Sequence, residues 1–163
     1  MKKSLRARLA DVTLFAVAIL AALFFSQCRK KDDQPNGIDK SYLINKKWSI
    51  ASATVTPGID IGQGPITDLL AVMPACFRDN FIVLKENGTG TEDEGGDKCP
   101  DADQTRSFNW SMTADGAFSG EMLDNFEGHT SVVKNDQGFT LTAVGKIDGE
   151  NVIRTVVMAY KAI

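Results

Sequence analysis

Apolar and polar residues alternate in short runs over most of the chain. The clearest run is 105–112, where Phe108, Trp110 and Met112 fall on one face, and 139–147 alternates in the same way. A period of two is typical of a β-strand with one buried and one exposed face. The pattern predicts strands over 47–55, 81–85, 89–91, 105–112, 117–123, 129–134, 139–147 and 152–162.

Turn-forming residues separate these runs. Asn-Gly at 87–88 and Asp-Gly at 115–116 and 148–149 are typical of tight hairpins, because their residues tolerate positive φ. Apolar residues at helical spacing over 66–73 predict one short helix after the first strand, and Pro74 ends it.

Sequential antiparallel strands leave two exposed sheet edges, and closure into a barrel removes them. We therefore expect an all-β fold, an up-and-down antiparallel barrel of about eight strands, with a β-sandwich as the alternative. A barrel of this size is either packed solid or holds one small ligand. Candidates for its interior, and hence for a ligand site, are Trp48, Phe81, Val83, Phe108, Trp110, Phe139 and Leu141.

The N-terminal segment has a different pattern. Basic residues within 2–8 precede an apolar stretch over 12–25 that only Thr13 interrupts. As a helix this stretch would be about 21 Å long, short of the ~30 Å hydrocarbon core of a bilayer. The combination is typical of a secretory signal peptide, and a retained membrane anchor is the alternative. We expect a signal peptide at 1–27, a flexible tether at 28–39 and the folded domain at 40–163.

Cys28 ends the signal segment, and charged residues follow it at once. Residues 25–28 (FSQC) resemble the lipobox of bacterial lipoproteins, although Gln27 stands where that motif usually has a small residue. The resemblance implies that Cys28 carries acyl chains, which would hold the protein to the outer membrane almost permanently. Residues 29–33 (RKKDD) resemble the export signal of some Bacteroidetes lipoproteins, which implies display on the cell surface.

Two further cysteines, Cys76 and Cys99, form an even pair in an oxidising compartment. A disulfide between them is the favoured interpretation. A zinc site is the competitor, but it needs four ligands and the chain adds only His129 to the two cysteines.

Charge and composition narrow the function classes. The whole chain has a net charge of −3, which argues against a nucleic-acid partner. Residues 92–103 contain six carboxylates, and Ca²⁺ takes six to eight oxygen ligands. Their spacing does not match an EF-hand loop, so a solvated acidic loop is the favoured interpretation.

A catalytic constellation is hard to assemble from this sequence. His129 is the only histidine, and Ser111 or Ser131 would be its candidate nucleophile, but the Gly-x-Ser-x-Gly elbow is absent. We therefore expect no enzyme activity, no cofactor and no metal.

Several motifs together resemble the lipocalin-like domains of Bacteroidetes lipoproteins. They are Trp48 in the first strand, the helix after it, 76–81 (CFRDNF), the turn at 87–88, Cys99 and 109–111 (NWS). The resemblance covers 43–162 and implies a barrel that binds a small hydrophobic ligand. The alternative is a surface protein-interaction or accessory module with a filled barrel and no ligand.

Overall fold

A computed structural model describes residues 38–147 and 149–163. The expectations for the signal peptide, for lipidation of Cys28 and for the export signal at 29–33 lie outside the described residues.

Strands account for most of the regular secondary structure in the described chain. Its strands are β1 (Lys47–Asp60), β2 (Pro65–Asp68), β3 (Phe81–Leu84), β4 (Thr89–Asp93), β5 (Thr105–Met112), β6 (Phe118–Gly120), β7 (Phe126–Lys134), β8 (Gly138–Ile147) and β9 (Ile153–Ala162). Its short helices are α1 (Lys40–Leu43) and α2 (Leu69–Val72), with 3-10 turns at Ala75–Phe77 and Glu121–Leu123. The all-β prediction is confirmed.

Eight of the strands form a nearly closed antiparallel barrel. Each pairs with its sequence neighbour, β2 aside, and β9 returns to pair with β1 from Trp48 to Thr56. The last gap lies between β6 and β7. There the N–H of Phe118 donates to Thr130 Oγ1 at 2.8 Å, and the N–H of Val132 donates to the carbonyl of Gly116 at 3.0 Å. This circle is the up-and-down, lipocalin-like barrel that the sequence predicts, rather than the β-sandwich alternative.

Aromatic side chains fill most of the barrel. Trp48 meets Phe139 edge-on, with ring centroids 5.0 Å apart, and Phe139 stacks on Tyr160 at 4.7 Å. Trp110 and Phe118 stack at 5.9 Å nearer the β5–β6 turn. The core is therefore closely packed through the middle of the barrel.

One end of the barrel, which we call the plugged end, is closed by α1. Asp39 caps this helix by accepting a hydrogen bond from the N–H of Ser41 at 2.8 Å, and Leu43 is fully buried. The indole N–H of Trp48 donates to the carbonyl of Leu43 at 2.8 Å. The N-terminal side of the described chain is thereby fastened into the core.

The opposite end, which we call the open end, carries the connections β2–β3, β4–β5, β6–β7 and β8–β9. Here β1 runs past the predicted 47–55 to Asp60, because its far half pairs with β2 as a hairpin. The sequence prediction ended this strand at residue 55, before a stretch rich in proline and glycine. The helix after β1 is also shorter than predicted, since residues 65–68 are extended.

The face assignment of β3 from sequence is wrong. Ile82 and Leu84 are buried in the barrel, whereas Phe81 and Val83 lie on the alternate face and are only partly buried. The strand consists entirely of apolar residues, so alternation of polar and apolar positions cannot select its inner face.

Candidate functional site

The open end contains a cavity where β1 leaves β3. These two strands pair only from Lys47 to Ser49, and beyond that point the neighbour of β1 is β2. The segment 69–80, which we call the cover, crosses the resulting gap and includes α2 and the turn Ala75–Phe77. A cavity of about 190 Å³ lies between the cover and the barrel core.

The floor of the cavity is apolar and aromatic. Trp48 and Ile82 are paired across β1 and β3, and Tyr160 of β9 pairs with Ile50. Burial raises the pKa of Tyr160 to about 12, and the Glu92 carboxylate adds to the shift. The phenol is therefore neutral at physiological pH. Met158 completes the floor and places its sulfur 4.0 Å from the Tyr160 oxygen.

The cover contributes Met73 and Phe77 to the cavity wall, and Phe81 at the start of β3 lies beside them. A disulfide between Cys76 and Cys99, with Cα atoms 5.1 Å apart, joins the cover to the acidic β4–β5 loop. The predicted disulfide is confirmed. Because α2 spans only four residues and none of them is fully buried, this covalent linkage adds to the limited packing of this part of the chain.

Hydrogen bonds from the acidic loop reinforce that linkage. Asp79 Oδ2 accepts from the N–H of Gly96 at 2.7 Å and from the N–H of Asp97 at 3.0 Å. These two N–H groups hold the pKa of Asp79 below its usual value. Asp93 likewise accepts from the N–H of Gly95 at 2.9 Å. Carboxylates in and beside the loop thus order the backbone, and within the described ranges they form no metal-binding cluster.

Asn80 and Glu92 form the polar edge of the cavity. Asn80 is 8% exposed, and its amide nitrogen donates to Glu94 Oε1 at 3.0 Å. The amide oxygen of Asn80 is buried and accepts no hydrogen bond from any described residue. Glu92 forms an ion pair with Arg106 at 2.9 Å.

The residues predicted from sequence fall into three groups. Trp48 forms part of the cavity floor, and Phe81 touches the cavity from the cover side. A second group is buried in the core but is not among the residues that line the cavity; it comprises Phe108, Trp110, Phe139 and Leu141. Val83 faces away from the interior.

Sequence reasoning missed most of the cavity lining. Ile50, Met158 and Tyr160 lie in predicted strands, but nothing in the pattern sets them apart from other core positions. Met73 and Phe77 lie in or next to the predicted helix, and only the fold shows that they face the barrel. The buried amide of Asn80 gives no signal in the sequence, because its partner Glu94 is 14 positions away.

His129 lies apart from this cavity. It is exposed on β7, beside an open groove between β6 and β7 that Asp124 and Thr130 also line. No hydrogen bond joins His129 to a serine or a carboxylate among the residues that the structure describes. Ser131 lies two residues further along β7 and Ser111 lies on β5, and neither of these two serines is among the residues that line this groove.

Comparisons of the chain with protein-family models, with curated proteins and with solved structures find no match. Within 38–147 and 149–163, no helix combines the length and apolar character needed to cross a membrane.

Proposed function

We propose that this protein is a lipid-anchored envelope protein that binds a small hydrophobic molecule in the cavity under the cover. The observation that carries the proposal is the 190 Å³ space bounded by Trp48, Ile82, Met158 and Tyr160. An apolar cavity of ~150 Å³ is large enough for benzene. The volume therefore suits a ligand of one aromatic ring or a short aliphatic chain.

The position of the cavity supports a binding role. Protein interiors are close-packed, and unfilled apolar space costs stability. Here the space lies under the cover, beside the adaptable side chains of Met73 and Met158. A segment with little packing of its own can open to admit a ligand, and the disulfide at Cys76 then limits how far it moves.

The charge distribution supports anchoring through the N-terminal segment. Ile38 and α1 lie at the plugged end, together with the lysines Lys40, Lys46, Lys47, Lys85, Lys134 and Lys161. Most of the acidic residues lie toward the open end, including Asp60, Asp68, Glu92, Asp93, Glu94, Asp97, Asp101, Asp103 and Glu127. Anionic lipid headgroups attract basic surfaces. At an anionic membrane the basic plugged end would therefore face the lipid, and the cavity would face the surroundings.

Ligand binding is tested by native mass spectrometry of the protein purified from its host envelope. We expect an extra mass that disappears on denaturation. Met73→Trp should remove that mass by filling the cavity. Val72→Trp is the matched control, because Val72 belongs to the same segment but is 53% exposed. A clean apo mass for the wild-type protein would contradict the proposal.

Anchoring is tested separately with Cys28→Ala. This substitution should abolish labelling by a fatty-acid analogue and shift the protein out of the membrane fraction. Unchanged membrane association would contradict lipid anchoring. Protease treatment of whole cells then distinguishes display on the cell surface from a location inside the envelope.

The alternative function, a protein-interaction module, is favoured by the filled middle of the barrel and by exposed apolar residues. Val144 and Ile153 lie on the outer surface of neighbouring strands and are 41% and 64% exposed. An apo mass together with a specific protein partner that is lost in Val144→Asp would select this alternative.

A further inference from the structure

Aromatic side chains border the cavity under the cover on several sides. Trp48 and Tyr160 belong to the barrel, Phe77 to the cover and Phe81 to the start of β3. The face of an aromatic ring carries partial negative charge. A lining of several rings therefore suits an organic cation as well as a plain apolar group.

Two of these rings already attract ammonium groups. Lys47 Nζ lies 4.3 Å from the ring centroid of Phe81, and Lys46 Nζ lies 5.6 Å from that of Trp48. Contacts of this kind are attractive within about 6 Å. Neither lysine is among the residues that line the cavity, so neither supplies a cation inside it.

A negative charge acts on the cavity from its polar edge. Glu92 is the one formally charged residue among the described residues that line this space. Burial is the main reason that the pKa of Tyr160 is raised to about 12, and the charge of Glu92 adds to it, so this charge reaches the cavity floor. Arg106, which pairs with Glu92 at 2.9 Å, is 61% exposed, so water screens much of its opposing charge.

The kind of cation follows from the shortage of hydrogen-bond acceptors. The amide oxygen of Asn80 is buried and does not open into the cavity. A primary ammonium brings three N–H donors, and burying them without acceptors costs free energy. A quaternary ammonium has methyl groups in place of these donors and is the kind of cation that aromatic cages recognise.

We propose that the ligand is a compact organic cation with a quaternary ammonium head, held by the rings of Trp48, Phe77 and Tyr160 and by the charge of Glu92. This inference rests on the proposed binding function and adds the charge and the head group of the ligand. A trimethylammonium head with a short alkyl arm is only slightly larger than benzene, which a cavity of ~150 Å³ holds. The 190 Å³ cavity is therefore large enough for it.

Four probes separate charge from shape: choline, neohexanol, ethanolamine and toluene. Neohexanol has the shape of choline but has carbon in place of the nitrogen, so it lacks the charge. Ethanolamine keeps the charge but has no methyl groups. We expect choline to bind the purified protein about tenfold more tightly than neohexanol, and ethanolamine to bind least. Titration calorimetry gives the four dissociation constants.

Two substitutions at the polar edge should shift choline binding in opposite directions. Glu92→Gln removes the attracting charge and should weaken choline several-fold. Arg106→Gln removes the opposing charge and should tighten choline binding. Both should leave neohexanol unchanged. Glu127→Gln, which makes the same charge change on the exposed part of β7, is the matched control and should alter neither ligand.

The variant Phe77→Leu tests the aromatic wall. Leucine keeps an apolar side chain at this position but has no ring, so choline should bind several-fold more weakly while neohexanol changes little. Phe126→Leu is the matched control, because Phe126 lies on β7 and does not line this cavity.

The outcomes distinguish this inference from the proposed function. If no probe binds, the binding function itself fails. If toluene or neohexanol binds more tightly than choline, the cavity binds ligands but the cationic class is wrong. Ethanolamine binding as tight as that of choline would show attraction to charge alone and would contradict recognition of the methylated head. The wild-type probe series decides these cases without any variant.

Discussion

The plugged end and the open end of this barrel are stabilised in different ways. At the plugged end, Leu43 and Trp48 are both buried. The indole N–H of Trp48 donates to the carbonyl of Leu43 at 2.8 Å, so these buried polar groups have a partner inside a closely packed region. At the open end, β1 parts from β3, and a disulfide at Cys76 holds a cover with few buried residues. The buried Asn80 oxygen without a described partner also lies there. The plugged end is therefore held by packing and hydrogen bonding, whereas the open end depends more on the disulfide.

The largest expected effect comes from Trp48→Ala, because this indole bonds to Leu43 at the plugged end and also forms part of the cavity floor. This substitution removes a fully buried indole and its hydrogen bond to Leu43, so the free energy of unfolding should fall by about 3–5 kcal/mol. Phe77→Ala in the cover should cost about 1 kcal/mol or less, since that ring is 39% exposed. Urea unfolding measures both values. Equal losses would contradict the proposed division of the molecule.

Removal of the disulfide is expected to have the next largest effect. A bridge across 23 positions stabilises a fold by roughly 3 kcal/mol in the chain-entropy model. The double variant Cys76→Ala, Cys99→Ala should lose about that much. Hydrogen exchange should rise in the cover and in 94–104 but not in α1. Wild-type protein in reductant is the control and should match the variant. Faster exchange spread evenly over the chain would show that the disulfide does not act locally.

Titration at alkaline pH tests whether Tyr160 is buried in the floor of the cavity, with Tyr42 as the control residue. The pKa of Tyr160 is raised to about 12, and an unfolded tyrosine titrates near 10. The stability that this neutral phenol contributes is fully present below pH 10 and is lost as the pH rises toward 12. Absorbance at 295 nm should show a late titration step that disappears in Tyr160→Phe and persists in Tyr42→Phe. A late step that survives in Tyr160→Phe would contradict the burial of this phenol.

The sequence was sufficient to predict those features that repeat along the chain. The alternation of apolar and polar residues and the Gly-containing turns predicted the all-β barrel. The even pair of cysteines predicted the disulfide between Cys76 and Cys99, and the structure confirms both. The inner face of β3 was assigned wrongly, because all its residues are apolar and both faces look alike. The extension of β1 was missed because Pro57 and Gly58 are typical of loops.

The cavity could not be predicted for a different reason. It arises where β1 exchanges one neighbouring strand for another, and pairing partners are a property of the assembled sheet. The same holds for Asn80, whose environment depends on Glu94 from a different loop. Local patterns therefore give the strands and the core, while the candidate site depends on contacts distant in sequence.

The smallest expected effect concerns the lysines of the plugged end. Lys46 and Lys134 place their ammonium groups 4.0 Å and 4.7 Å from the ring centroid of Tyr42. A basic residue close to an anionic bilayer contributes about 1 kcal/mol. Replacing both lysines with glutamine should therefore weaken binding of the non-lipidated protein to anionic vesicles by about thirtyfold, since the two contributions add to about 2 kcal/mol.

Lys98 and Lys146, which lie toward the open end, provide the matched control. Their replacement by glutamine makes the same change in net charge, so a general loss of attraction would weaken both double variants equally. If instead only the plugged-end pair matters, and only in low salt, the basic end of the barrel faces the lipid. Equal weakening of the two variants would show that net charge alone, and not the orientation of the barrel, controls the interaction.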